Sequence, residues 1–94
     1  MALERFGFIV TGDRFVQYQG TDRFSMKVVG VTHPSEGVDA AREMVREGIQ
    51  LIELCGGFGP QWAGRIIDAI EGAVPLGTVA YGPESIDGMH RLFA

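Results

Sequence analysis

The sequence predicts an α/β domain built on a small, mostly parallel sheet of about four strands with crossover helices, in two or three layers. Three observations carry that prediction. Segments with strand, helix, strand, helix and strand character follow one another from residue 26 to residue 81, the order that yields parallel strands joined by helices. Each crossover has room for the dozen or more residues that parallel pairing requires. The strand segments read as near-continuous apolar runs, as expected where helices cover both faces of a sheet. With 94 residues the chain makes one domain, 1–94, with a short C-terminal tail from about residue 82.

The first strand is expected over residues 5–11, where Phe6, Phe8, Ile9 and Val10 precede the stop signal Gly12-Asp13. Residues 14–24 carry Phe15, Val16, Tyr18 and Phe24 among polar residues with Gly20 between them; their pattern fits a hairpin-like excursion, an irregular crossover or a short helix equally well. The second strand is expected over 26–32, closed by His33-Pro34, because the ring of Pro34 holds its predecessor extended. Ser35 is the expected helix N-cap. Val38, Ala41, Met44 and Val45 then recur at helical spacing up to the stop at Gly48. The third strand spans 49–55. A second helix is expected from Pro60, whose missing N–H costs nothing at the first helical position, to about residue 70. Its inner stripe is Ala63, Ile66, Ile67 and Ile70, and Gly72 caps its end. Residues 76–81 form the last strand.

Composition narrows the partners. A net charge of −4 and eight scattered basic residues lack the basic patch of a nucleic-acid binder. The apolar runs are far shorter than the roughly 20 residues that span a bilayer, and the first residues lack the apolar stretch of a secretory signal, so a cytoplasmic location is expected. A single Cys excludes an internal disulfide, and no Cys/His spacing suits a metal. Neither a dinucleotide fingerprint nor a P-loop is present, so no cofactor is expected. Only 21 % of the residues are charged, little to cover a small domain with a thin core, which points to a compact internal sheet, to an interface with another copy, or to both; a homo-oligomer is expected.

Right-handed crossovers would gather every strand-to-helix turn at one edge of the sheet, the edge at which open α/β sheets bind ligands. The turn Cys55-Gly56-Gly57-Phe58-Gly59-Pro60 is the most informative feature there. Glycines let a ligand approach the backbone, and the free amides of a helix start suit a carboxylate or phosphate. The plainer reading is that Gly56, Gly57 and Gly59 only turn the chain. Cys55 is a candidate nucleophile if the helix start lowers its pKa, with His33 as the base on the same edge; the competing readings are a buried, inert thiol and a His33 that caps or packs beside Pro34. Glu53 stands out within a covered strand, where a carboxylate needs a partner, and is a candidate for acid/base chemistry or a structural ion pair. Trp62 and Phe58 are candidates for an aromatic pocket wall, a subunit contact or local packing, and Tyr81 for a phenolic donor or simple edge packing.

The segment Ile52-Glu53-Leu54-Cys55-Gly56-Gly57-Phe58-Gly59-Pro60, with Val74-Pro75-Leu76-Gly77 and Tyr81-Gly82 after it, resembles a family of small bacterial proteins classed as a domain of unknown function. The resemblance also takes in Val28-Val29-Gly30-Val31 and Glu84-Ser85-Ile86-Asp87-Gly88. It implies a compact α/β fold and assigns no catalytic residue. The function expected from the residues is binding of a small anionic metabolite at the carboxyl edge of the sheet in a homo-oligomer. A small enzyme using Cys55, Glu53 or His33, and a structural or regulatory subunit without a ligand, are the alternatives.

Overall fold

The computed structural model describes residues 2–94 and contains a five-stranded sheet. The strands are β1 (Arg5–Thr11), β2 (Phe15–Gly20), β3 (Ser25–Val31), β4 (Leu51–Leu54) and β5 (Leu76–Thr78), in the order β2-β3-β1-β4-β5. The helices are α1 (Gly37–Arg46), α2 (Gly59–Ala69) and α3 (Ile86–Phe93). Strands β3, β1, β4 and β5 are parallel, and only β2 runs against its neighbour. The mostly parallel α/β architecture agrees with the sequence; the strand beyond the expected four is β2, from the segment whose pattern left three conformations open.

That extra strand decides the layering. Going from β1 to β3 moves the chain toward one side of the sheet, whereas β3 to β4 and β4 to β5 both move it toward the other. Right-handed crossovers made in one direction put their helices on one face, and α1 and α2 accordingly pack against each other. The connection that would have carried a helix to the second face is β2 instead. The expectation of helices on both faces is therefore corrected: the sheet has two layers. Ile9, Val29, Val31, Ile52 and Leu54 meet Ala41, Met44, Ala63, Ile66 and Ile70 in one core.

The register assigns each side chain to a face. Ile9 pairs with Val29 and Leu54, whereas Phe8 pairs with Val28 and Glu53. Phe6, Phe8, Val10, Met26, Val28 and Leu51 thus lie on the face without α1 or α2, each half-buried. Glu53 shares that face and is exposed, so the covered carboxylate expected from its apolar surroundings is corrected as well.

The chain reaches β2 by crossing β3 closely. The Gly12 amide donates to the Val31 carbonyl at 2.7 Å, and a Cβ on Gly30 would collide with the Asp13 carbonyl oxygen and the Phe15 ring. On the covered face, Lys27 is buried beneath the Tyr18 ring and ion-paired with Glu47 at the end of α1. The start of the first helical region also differs from expectation. A short 3-10 turn, Pro34–Glu36, precedes α1, and His33 rather than Ser35 caps it. His33 Nδ1 accepts from the Ser35 amide at 3.1 Å, and the Glu36 carboxylate accepts from the His33 amide at 2.9 Å, a reciprocal capping box in which histidine replaces the usual hydroxyl. In α2, Ala63 and Ile66 are buried, as is Ile70 just after its end, but Ile67 is 38 % exposed.

Candidate functional site

The carboxyl ends of β1 and β4 lie side by side, and the Cys55 amide extends their ladder by donating to the Ile9 carbonyl at 3.0 Å. This pairing brings Thr11, the last residue of β1, against Cys55. The Thr11 amide donates to Cys55 Sγ at 3.2 Å, and Thr11 Oγ1 lies 3.3 Å from the same sulfur. The glycine turn then folds back over it. The Phe58 amide donates to the Cys55 carbonyl at 3.1 Å, and the Thr78 hydroxyl donates to that carbonyl at 3.2 Å. Gly57 passes so near that a Cβ there would stand 2.5 Å from Thr11 Oγ1. On the other side, a Cβ on Gly56 would lie 2.8 Å from the Tyr81 ring. Both glycines thus allow close approaches that a larger residue would obstruct.

These neighbours define the electrostatics of the sulfur. Burial pushes the Cys55 thiol up, but the Thr11 hydroxyl and the amides of Thr11, Gly57 and Phe58 outweigh it and hold the thiol below its ordinary 9.0. Hydrogen bonds to the charged form act in that direction. Of these amides, that of Thr11 donates directly to the sulfur, whereas that of Phe58 donates to the Cys55 carbonyl.

Beside the sulfur is a cavity of about 400 Å³. Val10, Thr11, Cys55, Tyr81, Met89 and Phe93 line it, together with Gly56 and Gly57. Val10, Met89 and Phe93 make its wall largely apolar, and Thr11, Cys55, Tyr81 and the two glycines supply what is polar in it. Helix α3 supplies Met89 and Phe93, one helical turn apart, which therefore share a face. The short C-terminal tail thus supplies a wall of the cavity. A broader, shallower groove between β2, β3 and α1 contains Phe15, Val29 and Val31 and the Arg14–Glu36 ion pair at 2.9 Å.

The other candidates fall outside this cavity. Phe58 is buried in the core at 3 % exposure. His33 is engaged with Ser35, its ring 5.9 Å from that of Trp62 in an edge arrangement, and the Arg65 guanidinium lies 4.6 Å from the Trp62 ring. Trp62, His33 and Arg65 thus form a separate surface cluster. Gly59 adopts φ +70° with open space around it, so it turns the chain into α2 without touching the cavity. Glu53 projects from the open face and has no ion pair among the described residues. Of the candidates, Cys55, Gly56, Gly57 and Tyr81 are brought together. Thr11 was legible as a strand-end residue, but only the β1/β4 register reveals its contact with sulfur; Val10, Met89 and Phe93 are cavity residues with no chemical signal of their own.

Among the described residues, no group of three or more His, Cys, Asp or Glu side chains is placed to hold a metal, and no helix is long and apolar enough to cross a membrane. Residues 4–94 match a family model described as "Family of unknown function (DUF6506)", and the chain belongs to that family. No curated protein and no solved structure matches it.

Proposed function

We propose that this member of the family binds a small molecule with a largely apolar body in the cavity at the carboxyl edge of the sheet, and that it does so as a homo-oligomer. The observation that carries the reading is the cavity itself: about 400 Å³, apolar-walled, with the Thr11 hydroxyl, the Cys55 thiol and Tyr81 converging on it. Small-molecule sites have this composition and size, a mostly apolar wall with a few polar groups that orient the ligand. Among the described residues, no Lys, Arg or His lines the cavity, so a neutral polar end beside Thr11, Tyr81 and the thiol suits it better than the expected anionic one, which would have only backbone amides to receive it.

Benzoate and its uncharged relative benzyl alcohol are suitable probes, read by saturation-transfer NMR. Binding is expected for benzyl alcohol, weaker for benzoate, and absent when Met89→Trp fills the cavity from α3. No binding of either probe, or equal binding by the folded Met89→Trp variant, would remove the reading.

One observation favours a second reading in which the cavity supports chemistry. The hydroxyl and amides around Cys55 Sγ stabilise a thiolate without a histidine base. In such a reaction the sulfur lone pair forms an S–C bond to an electrophilic carbon of the ligand, and the displaced electron pair moves to the ligand's acceptor atom. His33 and Glu53 have no part in it, since neither lines the cavity. Alkylation by iodoacetamide followed against pH tests the premise: a midpoint at or above 9.0, the ordinary thiol value, would exclude it.

A further inference from the structure

We infer that a second copy of this chain covers the open face of the sheet, packing sheet against sheet, and lies across the mouth of the cavity. The inference deepens the homo-oligomer part of the proposed function by naming its surface, and its cavity clause rests on the ligand reading.

The open face has the anatomy of an interface. Its middle is formed by β3 and β1, with Met26, Val28, Phe6, Phe8 and Val10, and Phe24 stacks on Phe6 with ring centroids 6.5 Å apart. On either side of it the face becomes more polar: by register Gln17 and Gln19 lie on β2 together with Phe15, and Glu53 lies on β4 together with Leu51. An apolar centre depleted of charge within a polar rim distinguishes contact surfaces from ordinary protein surface. Mostly parallel sheets are also normally covered on both faces, and here the strand β2 has replaced the crossover that would have covered this one.

Area and symmetry favour a second copy. At about 3.3 Å per residue and 4.8 Å between strands, the five strands present a plan area of roughly 430 Å². At about 1.5 Å per residue and 10 Å width, α3 adds roughly 120 Å² beside it. Two such faces bury about 1,100 Å² in total, just above the roughly 1,000 Å² that a specific interface needs. The eight-residue α3 is far too small to cover the face from within the same chain. A face without a charged centre offers little to steer a strongly charged partner, whereas a two-fold contact needs only a self-complementary patch. A two-fold axis running along β1 would turn Glu53 toward the glutamine edge of the other copy instead of against its own mate. Continuity with the site adds to this: Val10 belongs both to the open face and to the cavity wall, and Phe93, which lines the same cavity, is 74 % exposed.

Sedimentation equilibrium on the whole chain tests the inference. At high micromolar concentration the wild type should weigh twice 10.2 kDa. Val28→Lys on the open face should return it to the single-chain mass, while Ile67→Lys, on the solvent side of α2, should leave the dimer intact. A folded Val28→Lys variant that remains dimeric, or a wild type of single-chain mass, would overturn the inference. If Val28→Lys fails to fold, the wild type still decides: the Met26 methyl signal should be protected from a soluble nitroxide at high concentration and exposed on dilution, and exposure at both would overturn the interface. Ligand and interface fail separately. A dimer of this kind that binds neither benzyl alcohol nor benzoate sustains the interface and removes the ligand reading; a single-chain wild type that binds benzyl alcohol does the reverse.

Discussion

Thr11 directs two groups at one atom: its amide lies 3.2 Å and its hydroxyl 3.3 Å from Cys55 Sγ. The amide is held by the β1/β4 register and survives any substitution other than proline, so the hydroxyl can be tested alone. Thr11→Val should move the pH midpoint of Cys55 alkylation upward, slowing the reaction at neutral pH while leaving the high-pH plateau unchanged. Thr11→Ser keeps the hydroxyl and should retain the wild-type midpoint. Equal midpoints in the valine and serine variants would show that the hydroxyl does not stabilise the thiolate.

Gly57→Ala should act on the same sulfur through space. A Cβ at this position meets Thr11 Oγ1 at 2.5 Å and Cys55 Sγ at 3.6 Å, so the Thr11 side chain must rotate away. The alkylation midpoint should rise as it does in Thr11→Val, and the double variant should add little. Because Gly57 is exposed and a single side chain can yield, the stability loss should stay near ~1 kcal/mol, measured by urea unfolding.

Two other glycines should respond in opposite directions. At Gly30 a Cβ runs into the Asp13 carbonyl and the Phe15 ring, and the backbone crossing at residues 12–14 has little room to yield. Gly30→Ala should cost about 3 kcal/mol, at the upper end of overpacking penalties. Gly64, in α2, has nothing within 4 Å of its would-be Cβ. Gly64→Ala should stabilise the fold by roughly 0.8 kcal/mol through helix propensity, raising the melting temperature by about 3 to 6 °C for a domain of this size.

The same glycine at 30 explains much of what the sequence concealed. The elements with strong apolar period, β1, β3, α1 and α2, were legible because their side chains alone bury the core. Strand β2 was not, because all six of its residues are exposed. Its conformation comes from backbone pairing with β3, which leaves no side-chain period, and from the close crossing at Gly30. The single-sided layering follows from β2 and is hidden for the same reason, and with it the exposure of Glu53. The site was half legible. Cys55 and its glycine turn announced themselves, but the contact between Thr11 and the Cys55 sulfur depends on how β1 and β4 are paired. Met89 and Phe93 could be found only by seeing where α3 comes to rest.

The pair Lys27 and Glu47 should give the protein a stability plateau bounded by two titrations. The Lys27 side chain is only 7 % exposed and that of Glu47 23 %. Tyr18 donates to the same carboxylate at 2.5 Å. Hydrogen bonds from Lys27 and then Tyr18 hold Glu47 below its ordinary 4.5. Burial pushes Lys27 down, but its hydrogen bonds and charge interactions with Glu47 and Tyr18 outweigh that and leave it above its ordinary 10.5. A depressed carboxyl stabilises the fold above its unfolded pKa and loses that contribution as pH falls through its folded one. A raised amine stabilises below its unfolded pKa and loses that contribution as pH rises through its folded one. The pair's contribution should therefore be full between about 4.5 and 10.5 and fall on either side. Removing the partners should cost unequal amounts. Glu47→Gln strands the better-buried charge and should cost about 2 to 3 kcal/mol at neutral pH, below the 3 to 5 kcal/mol of a fully buried pair because Glu47 itself reaches water. Lys27→Met leaves a carboxylate that retains Tyr18 and solvent, and should cost less. Urea unfolding at neutral and acid pH reads both effects: the gap between wild type and Glu47→Gln should narrow as Glu47 protonates, and a gap independent of pH would mean that the loss lies in packing rather than in charge.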